Sequence, residues 1–268
     1  MMQRVLVLLL LLLCVVVVGC KKEEVKVDYL QKEDVQLVQP RIIASTTVID
    51  SFVTIKADRL TEGTLLFYTD DSTEPTEQST KFTGEIKIKE PKELKFKAFH
   101  NKFKASETAS FRLYKKGHTA SDIKWFTNPN QRYEGSGATT LIDDKKGSMN
   151  FNSPLWVGFD TIAKANVKFD KKITIKSIDI GYLNDPGSWI FPPSEIEIIL
   201  NNNKKNKLVF QLEPITGMVD KAMMSFNIPI NNEVSTLDIT VKNVEQIPDW
   251  HDGTGSKAWL FMDEWIFN

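Results

Sequence analysis

From Gln39 onward the chain alternates. Val53 and Ile55, Leu66 and Tyr68, Ile86 and Ile88, then Leu94, Phe96 and Ala98, and finally Phe111 and Leu113 set apolar side chains two residues apart with polar ones between them. That spacing turns one face of an extended chain toward a core and leaves the other to solvent. Turn-forming residues separate the runs, as strands require. The pattern resumes with Val167 and Phe169, Ile173 and Ile175, Ile178 and Ile180, Ile196 and Ile198, Leu208 and Phe210, and Leu237, Ile239 and Val241. No stretch after the N-terminal apolar run keeps a long helical period. The fold class this predicts is all-β, with two β-sandwich domains, over residues 39–115 and 122–268. The segment between them, residues 115 to 125, opens Lys115-Lys116-Gly117-His118 and reads as a hinge.

The N-terminus carries a separate signal. Arg4 precedes an uninterrupted apolar run from Val5 to Val18, and Val17-Val18-Gly19-Cys20 follows. The run is shorter than the roughly 20 apolar residues that a membrane span needs. It ends in what looks like a bacterial lipobox, in which the Cys is acylated and becomes the mature N-terminus. Residues 1–19 are therefore expected to be a lipoprotein signal peptide, with Cys20 the lipidation site and residues 20–38 a charged tether. The alternative is a plain signal anchor or transmembrane helix. Lys21-Lys22-Glu23-Glu24 resembles the export signal of Bacteroidetes surface lipoproteins, which implies an outer-membrane, cell-surface location and membrane contact through the lipid anchor alone.

Composition narrows the chemistry. The two cysteines, Cys14 and Cys20, both lie in the leader, so the folded part has no thiol nucleophile and no Cys-ligated zinc. With 34 basic against 35 acidic residues, the chain has no general attraction to nucleic acid. The three histidines, His100, His118 and His251, are scattered singly, so there is no HExxH pair, and no Ser sits in a nucleophile elbow. Gly253-Thr254-Gly255-Ser256-Lys257-Ala258 fits a dinucleotide-binding string only formally, because it leaves a loop and enters a strand where that motif needs a helix. Asp70-Asp71-Ser72-Thr73-Glu74-Pro75-Thr76 lacks the Gly and the trailing Glu of an EF-hand loop and reads as a hydrogen-bonded turn. These features point to a chain that is not an enzyme.

Tyr68-Thr69, Asp71, Glu74-Pro75-Thr76, Ser79, Phe82, Gly84 and Lys97-Ala98-Phe99 resemble the small Ig/Fn3-like β-sandwich that follows the catalytic barrel in chitobiases and β-hexosaminidases. Ser72 stands where that family has Gly. Four further motifs resemble the F5/8 type C, discoidin-like jelly-roll sandwich appended to family 20 glycoside hydrolases of Bacteroidetes. They are Leu141-Ile142-Asp143 with Gly147-Ser148, Trp156-Val157-Gly158-Phe159, Leu183 through Pro192, and Pro248-x-Trp250-His251 with Gly253-x-Gly255 running into Ala258-Trp259-Leu260-Phe261-x-Asp263-Glu264. Asp144 stands where that family commonly has Gly. In those enzymes both modules follow a (β/α)₈ barrel of about 250 residues. The interval between the leader and residue 39 has no room for one, so hydrolase activity is not carried over.

Two loops have the composition of a sugar site. A pyranose offers an apolar C–H face and a rim of hydroxyls, which suit an exposed Trp beside Asp, Asn or His. Tyr182 through Trp189 and Asp249 through Asp252 supply those types, making Trp250, His251, Trp189, Asp185 and Asp252 the candidate ligand-binding residues. The bland alternative seats the tryptophans as plugs over the sandwich end, with His251 bonded to backbone. Both readings stand for Trp250, while Ile190 and Phe191 extend an apolar run that favours plugging for Trp189. His251 beside Asp252 could form an acid–base pair, but adjacent residues rarely point the same way. Trp156, Trp259 and Trp265 read as packing residues. The discoidin-like resemblance further implies a structural calcium held by Asp143 and Glu264 with carbonyls around Lys146 and Ser148, the alternative being a salt bridge or solvated turn. The expected partner is a glycan, N-acetylhexosamine-containing by that resemblance, and the competing expectation is a surface-protein partner that uses the same loops.

Overall fold

A computed structural model describes residues 35–58 and 61–268. The leader at 1–19, Cys20 and most of the 20–38 tether lie outside the described residues. The structure is all-β. Among the described residues no helix is long and apolar enough to cross a membrane.

The first sandwich is built from β1 (Ile42–Ala44), β2 (Val48–Ile49), β3 (Val53–Ala57), β4 (Leu65–Thr69), β5 (Thr80–Lys81), β6 (Glu85–Ile88), β7 (Glu93–Phe99), β8 (Ala109–Arg112) and β9 (Tyr114–Lys115). One sheet runs β1-β3-β6 and the other β5-β4-β7-β8, while β2 pairs in parallel with β9. The alternation does what its period demands. Leu94, Phe96 and Ala98 of β7 face Val53 and Ile55 of β3 across one core, with Leu66, Phe82 and Leu113 closing it. The acidic stretch at 70–76 is a side-chain-bonded turn, in which Asp71 Oδ1 accepts from Thr73 N and Oγ1 at 3.1 and 2.6 Å. Ser72 takes φ of 66°, a left-handed conformation that favours glycine, without being glycine.

The second sandwich contains β10 (Asp122–Trp125), β11 (Val157–Phe159), β12 (Ala163–Asn184), β13 (Glu195–Leu200), β14 (Lys207–Gln211), β15 (Ala222–Lys242) and β16 (Leu260–Phe267). Its organising pair is β12 with β15, antiparallel from Ala163 opposite Val241 to Asn184 opposite Ala222. Both strands are long enough to serve two sheets. The early part of β12 pairs with β10 and with the end of β15, which carries β13 and β14. The later part pairs with the start of β15 and with β16, which carries β11. The result is two facing sheets. Val167, Ile196, Ile198 and Ile239 from one sheet meet Ile178, Ile180, Ile228 and Met262 from the other in a single core.

Three of the expected strands are one. The runs at 167–169, 173–175 and 178–180 all fall on β12, joined across register shifts between Lys168 and Ile173 and between Ile175 and Ser177. A bulge adds a residue to one strand and flips the side-chain phase. Inward positions accordingly change from odd numbers up to Ile175 to even ones from Ile178. Sequence periodicity reads that flip as a chain break.

The expected hinge is seated rather than free. His118 N donates to Phe267 O at 2.6 Å, and a Cβ on Gly117 would overlap the Phe267 backbone. From β9, Tyr114 lies over the Lys146 ammonium at 4.9 Å, and Lys116 pairs with Asp144 at 2.7 Å. The two sandwiches therefore meet along a polar seam.

Candidate functional site

At the end of β12 the backbone closes on itself. Asp185 N donates to Ile190 O at 3.0 Å and Ile190 N to Asp185 O at 3.1 Å, enclosing a 3-10 turn at Pro186–Ser188. Trp189 caps that turn with φ of 63°, a left-handed conformation that a bulky residue rarely takes. Its N–H donates to Pro186 O, and its carbonyl accepts from Trp259 N, both at 2.8 Å. The reversed backbone sign decides where the side chains go. Ile190 and Phe191 are 1% exposed, whereas Trp189 is 43% exposed. The expectation that Trp189 follows its neighbours into a plug is thus corrected, because one left-handed residue rotates it out of the apolar run.

Trp250 has the opposite fate. Its indole packs against the cluster of Phe191, Ile247 and Ala258, and Nε1 donates to Ile215 O at 3.2 Å. That packing supports the plug reading for Trp250, which is half-buried over the small core beneath the loops. His251 is 8% exposed, and Gly253 N donates to its Nδ1 at 2.9 Å. The proton therefore sits on Nε2, which donates to Pro186 O at 2.9 Å. With both nitrogens engaged, His251 is neither a ligand contact nor half of an acid–base pair with Asp252. It pins the 248–255 loop to the turn that carries Trp189.

The remaining candidates divide in the same way. Asp185 is buried and its Oδ2 pairs with Lys221 Nζ at 2.9 Å, so its carboxylate is held by a residue that the sequence did not single out. Lys221 also lies 5.0 Å from the Phe151 ring centroid, which fixes the ammonium at the loop edge. Asp252 is exposed. Gly253 sets the platform: a Cβ there would stand 3.0 Å from Cε2 and 3.1 Å from Cζ2 of Trp189. One edge of the indole consequently rests on bare backbone. The structure brings all five candidates to one end of the sandwich, with Trp189 and Asp252 exposed, Trp250 half-buried, and His251 and Asp185 buried. Trp156 and Trp265 are core residues and Trp259 packs against Tyr133, as expected.

Asp143 and Glu264 meet at a separate place. Glu264 is 3% exposed, and its Oε2 accepts from Asp143 N at 3.1 Å. Burial, and then the Asp143 charge, push the Glu264 carboxyl up to about 9. Burial also raises Asp143, against the opposing pull of Lys145. Of the nearby ammonium groups, Lys145 reaches Asp143 Oδ2 at 3.5 Å, the salt bridge that was the alternative to a metal, while Lys146 pairs with Asp263 at 2.6 Å and Lys116 with Asp144 at 2.7 Å. Asp144 takes φ of 61°, so this loop too keeps a glycine-like backbone without Gly. Among the described residues Glu264 has no ion-pair partner, so a hard divalent ion held there with Asp143 would meet a buried, unpaired carboxyl. Among the described residues no three ligating side chains cluster, so backbone oxygens would have to complete the shell.

With that geometry in place, comparison with known proteins adds the following. Residues 43–110 match the chitobiase/beta-hexosaminidase C-terminal domain. The match covers β1 to the middle of β8. No curated protein matches the sequence significantly. Among solved structures, the chain is similar to a carbohydrate-binding module produced by Clostridium perfringens, in complex with GlcNAc-α-1,4-galactose, at 13% identity and a TM-score of 0.32 over 55% of this chain and 88% of that one. It is similar to a pectin-binding carbohydrate-binding module at 12% identity and a TM-score of 0.34, over 56% and 90%. A SusE-like protein aligns over 85% of this chain and 95% of its own, at 14% identity and a TM-score of 0.32.

Proposed function

We infer that the protein is a noncatalytic lipoprotein of a bacterial surface, anchored through Cys20, whose discoidin-like sandwich holds a glycan. The observation that carries this reading is Trp189, an indole 43% exposed on a strained, hydrogen-bonded turn, with one edge on Gly253. A rigid aromatic surface beside polar groups suits the C–H face of a pyranose, since little side-chain freedom is lost on stacking. Asp252 is the acceptor that accompanies it. The resemblance to family 20 accessory modules makes an N-acetylhexosamine the first sugar to try.

A glycan array with residues 25–268, which retain every described strand, tests this. Binding should fall at least tenfold with Trp189→Ala. An empty array, or binding that this substitution leaves unchanged, overturns the reading. A single open stacking surface corresponds to dissociation constants of roughly micromolar to millimolar. Incorporation of a palmitate analogue, abolished by Cys20→Ala, tests the anchor. Cleavage by protease added to whole cells tests the outward location.

Calcium belongs to the same proposal, with Asp143 and Glu264 as its carboxylate ligands. Bound there, the ion would supply Glu264 with the positive charge that Lys145 gives only to Asp143. Calcium titration should raise Tm in the parent and not in Glu264→Gln.

A second reading has its own support. Met218 and Val219 are 62% and 45% exposed in the loop that leads to Lys221, next to the Asp185 turn. Apolar side chains so placed favour docking of a glycoside hydrolase or another surface protein. Crosslinking on cells that is lost with Met218→Lys but kept with Trp189→Ala would favour it.

A further inference from the structure

A cleft of about 680 Å³ opens beside β10, lined by Trp125, Asn128, Gln131, Arg132, Glu134 and Asp160 among others. It shares no residue with the Trp189 turn, and its volume falls within the roughly 300–1,000 Å³ of small-molecule clefts. Its walls are fixed. Trp125 Nε1 donates to Ala138 O at 3.2 Å, and the ring packs 5.2 Å from Phe159. Asn130 anchors the loop by donating its N–H to Gly158 O at 2.9 Å while its Oδ1 accepts from Arg132 N at 3.1 Å. The lining side chains are uncommitted by contrast. Among the described residues Asn128, Gln131, Glu134 and Asp160 have no side-chain hydrogen bond or ion pair. The Arg132 guanidinium only lies over the Tyr133 ring at 5.6 Å.

We propose that this cleft is a second binding site, for a neutral oligosaccharide of about two sugar rings. Two amides, two carboxylates and one guanidinium offer donors and acceptors in alternation, which is what a run of sugar hydroxyls requires. Two carboxylates against one guanidinium leave the cleft net negative, which repels sulfated or uronic-acid chains and phosphorylated ligands. The half-buried Trp125 supplies the apolar patch for a ring face. A peptide would leave the polar walls unmatched, because nothing in the lining forms a deep apolar pocket for a side chain.

The test is amide and indole NMR of residues 25–268 titrated with N,N′-diacetylchitobiose, lactose and cellobiose. Saturable shifts are expected at the Trp125 indole and at the Arg132 and Asp160 amides with at least one of these disaccharides. They should vanish in Arg132→Ala/Asp160→Asn with the rest of the spectrum unchanged, and Asn128→Ala, a milder change, should weaken them severalfold. Absence of saturable shifts there with every disaccharide, or shifts that survive the double substitution, overturns the cleft. Saturation at the Trp189 indole alone sinks the cleft and keeps the Trp189 reading. Saturation at the cleft alone does the reverse.

Discussion

Residue by residue, backbone sign decides more than side-chain type. Trp189, Ser72 and Asp144 all hold positive φ without being glycine. For an L-residue that conformation costs roughly 1–2 kcal/mol. Replacing Trp189 by Gly removes the strain but adds unfolded-state freedom worth roughly 0.5–1 kcal/mol. Trp189→Gly should therefore shift stability by no more than about 1.5 kcal/mol while removing glycan binding, a combination that denaturant melts and array binding would reveal. Loss of folding instead would make the indole structural. Glu264 gives a pH signature. Its folded pKa is raised above the ordinary 4.5 to about 9. The stability it contributes is thus fully present below 4.5 and is lost as pH rises toward 9. In chelator, Tm should fall across that window, and Glu264→Gln should flatten the fall.

Whole elements are tied by few groups, and those groups are buried. His251 joins the 248–255 loop to the Trp189 turn through Pro186 O and Gly253 N. His251→Ala leaves both partners unpaired, at a cost of roughly 1–3 kcal/mol each. The expected result is a lower melting temperature together with weaker glycan binding, since the platform under Trp189 loosens. Unchanged binding would show that the turn holds its shape alone. On β16, Asp263 pairs with Lys146 and also accepts from Gly147 N at 2.8 Å and Glu264 N at 2.7 Å. Removing one partner of a buried pair strands the other charge, so Lys146→Ala should cost about 3–5 kcal/mol by urea unfolding. Gly181 leaves the space for this pair, because a Cβ there would overlap the Asp263 carboxylate.

At the scale of the molecule, the seam between the sandwiches runs through Lys116, Gly117 and His118. A Gly117→Ala side chain would collide with the Phe267 backbone, which cannot retreat without opening β16. The expected outcome is a separated pair of sandwiches, each still folded, with a larger radius of gyration by X-ray scattering and new protease cleavage near residue 117. An unchanged radius would mean that β16 shifts to accommodate the methyl group. The two cores share no residue, which is why the loss should be confined to the seam.

Much of this was legible in the sequence, because period-two alternation has one physical solution. Core positions such as Phe96, Val167, Ile198 and Ile239 follow from it directly, and so does the all-β class. The bulges in β12 were not legible, since a phase flip and a chain break look alike in a list of residues. The loops that form the candidate site could be located from their Trp, His and Asp content, but not the job of each side chain. Trp189 was expected inside and stands outside, and Trp250 is packed where a ligand contact was one of two readings. His251 spends both nitrogens on backbone, and Asp185 is paired with Lys221. Composition determined which groups gather at that end of the sandwich. Only the tertiary structure decided which stay free, because a left-handed turn at one residue and a hydrogen bond between distant loops set side-chain direction, and neither has a local sequence period.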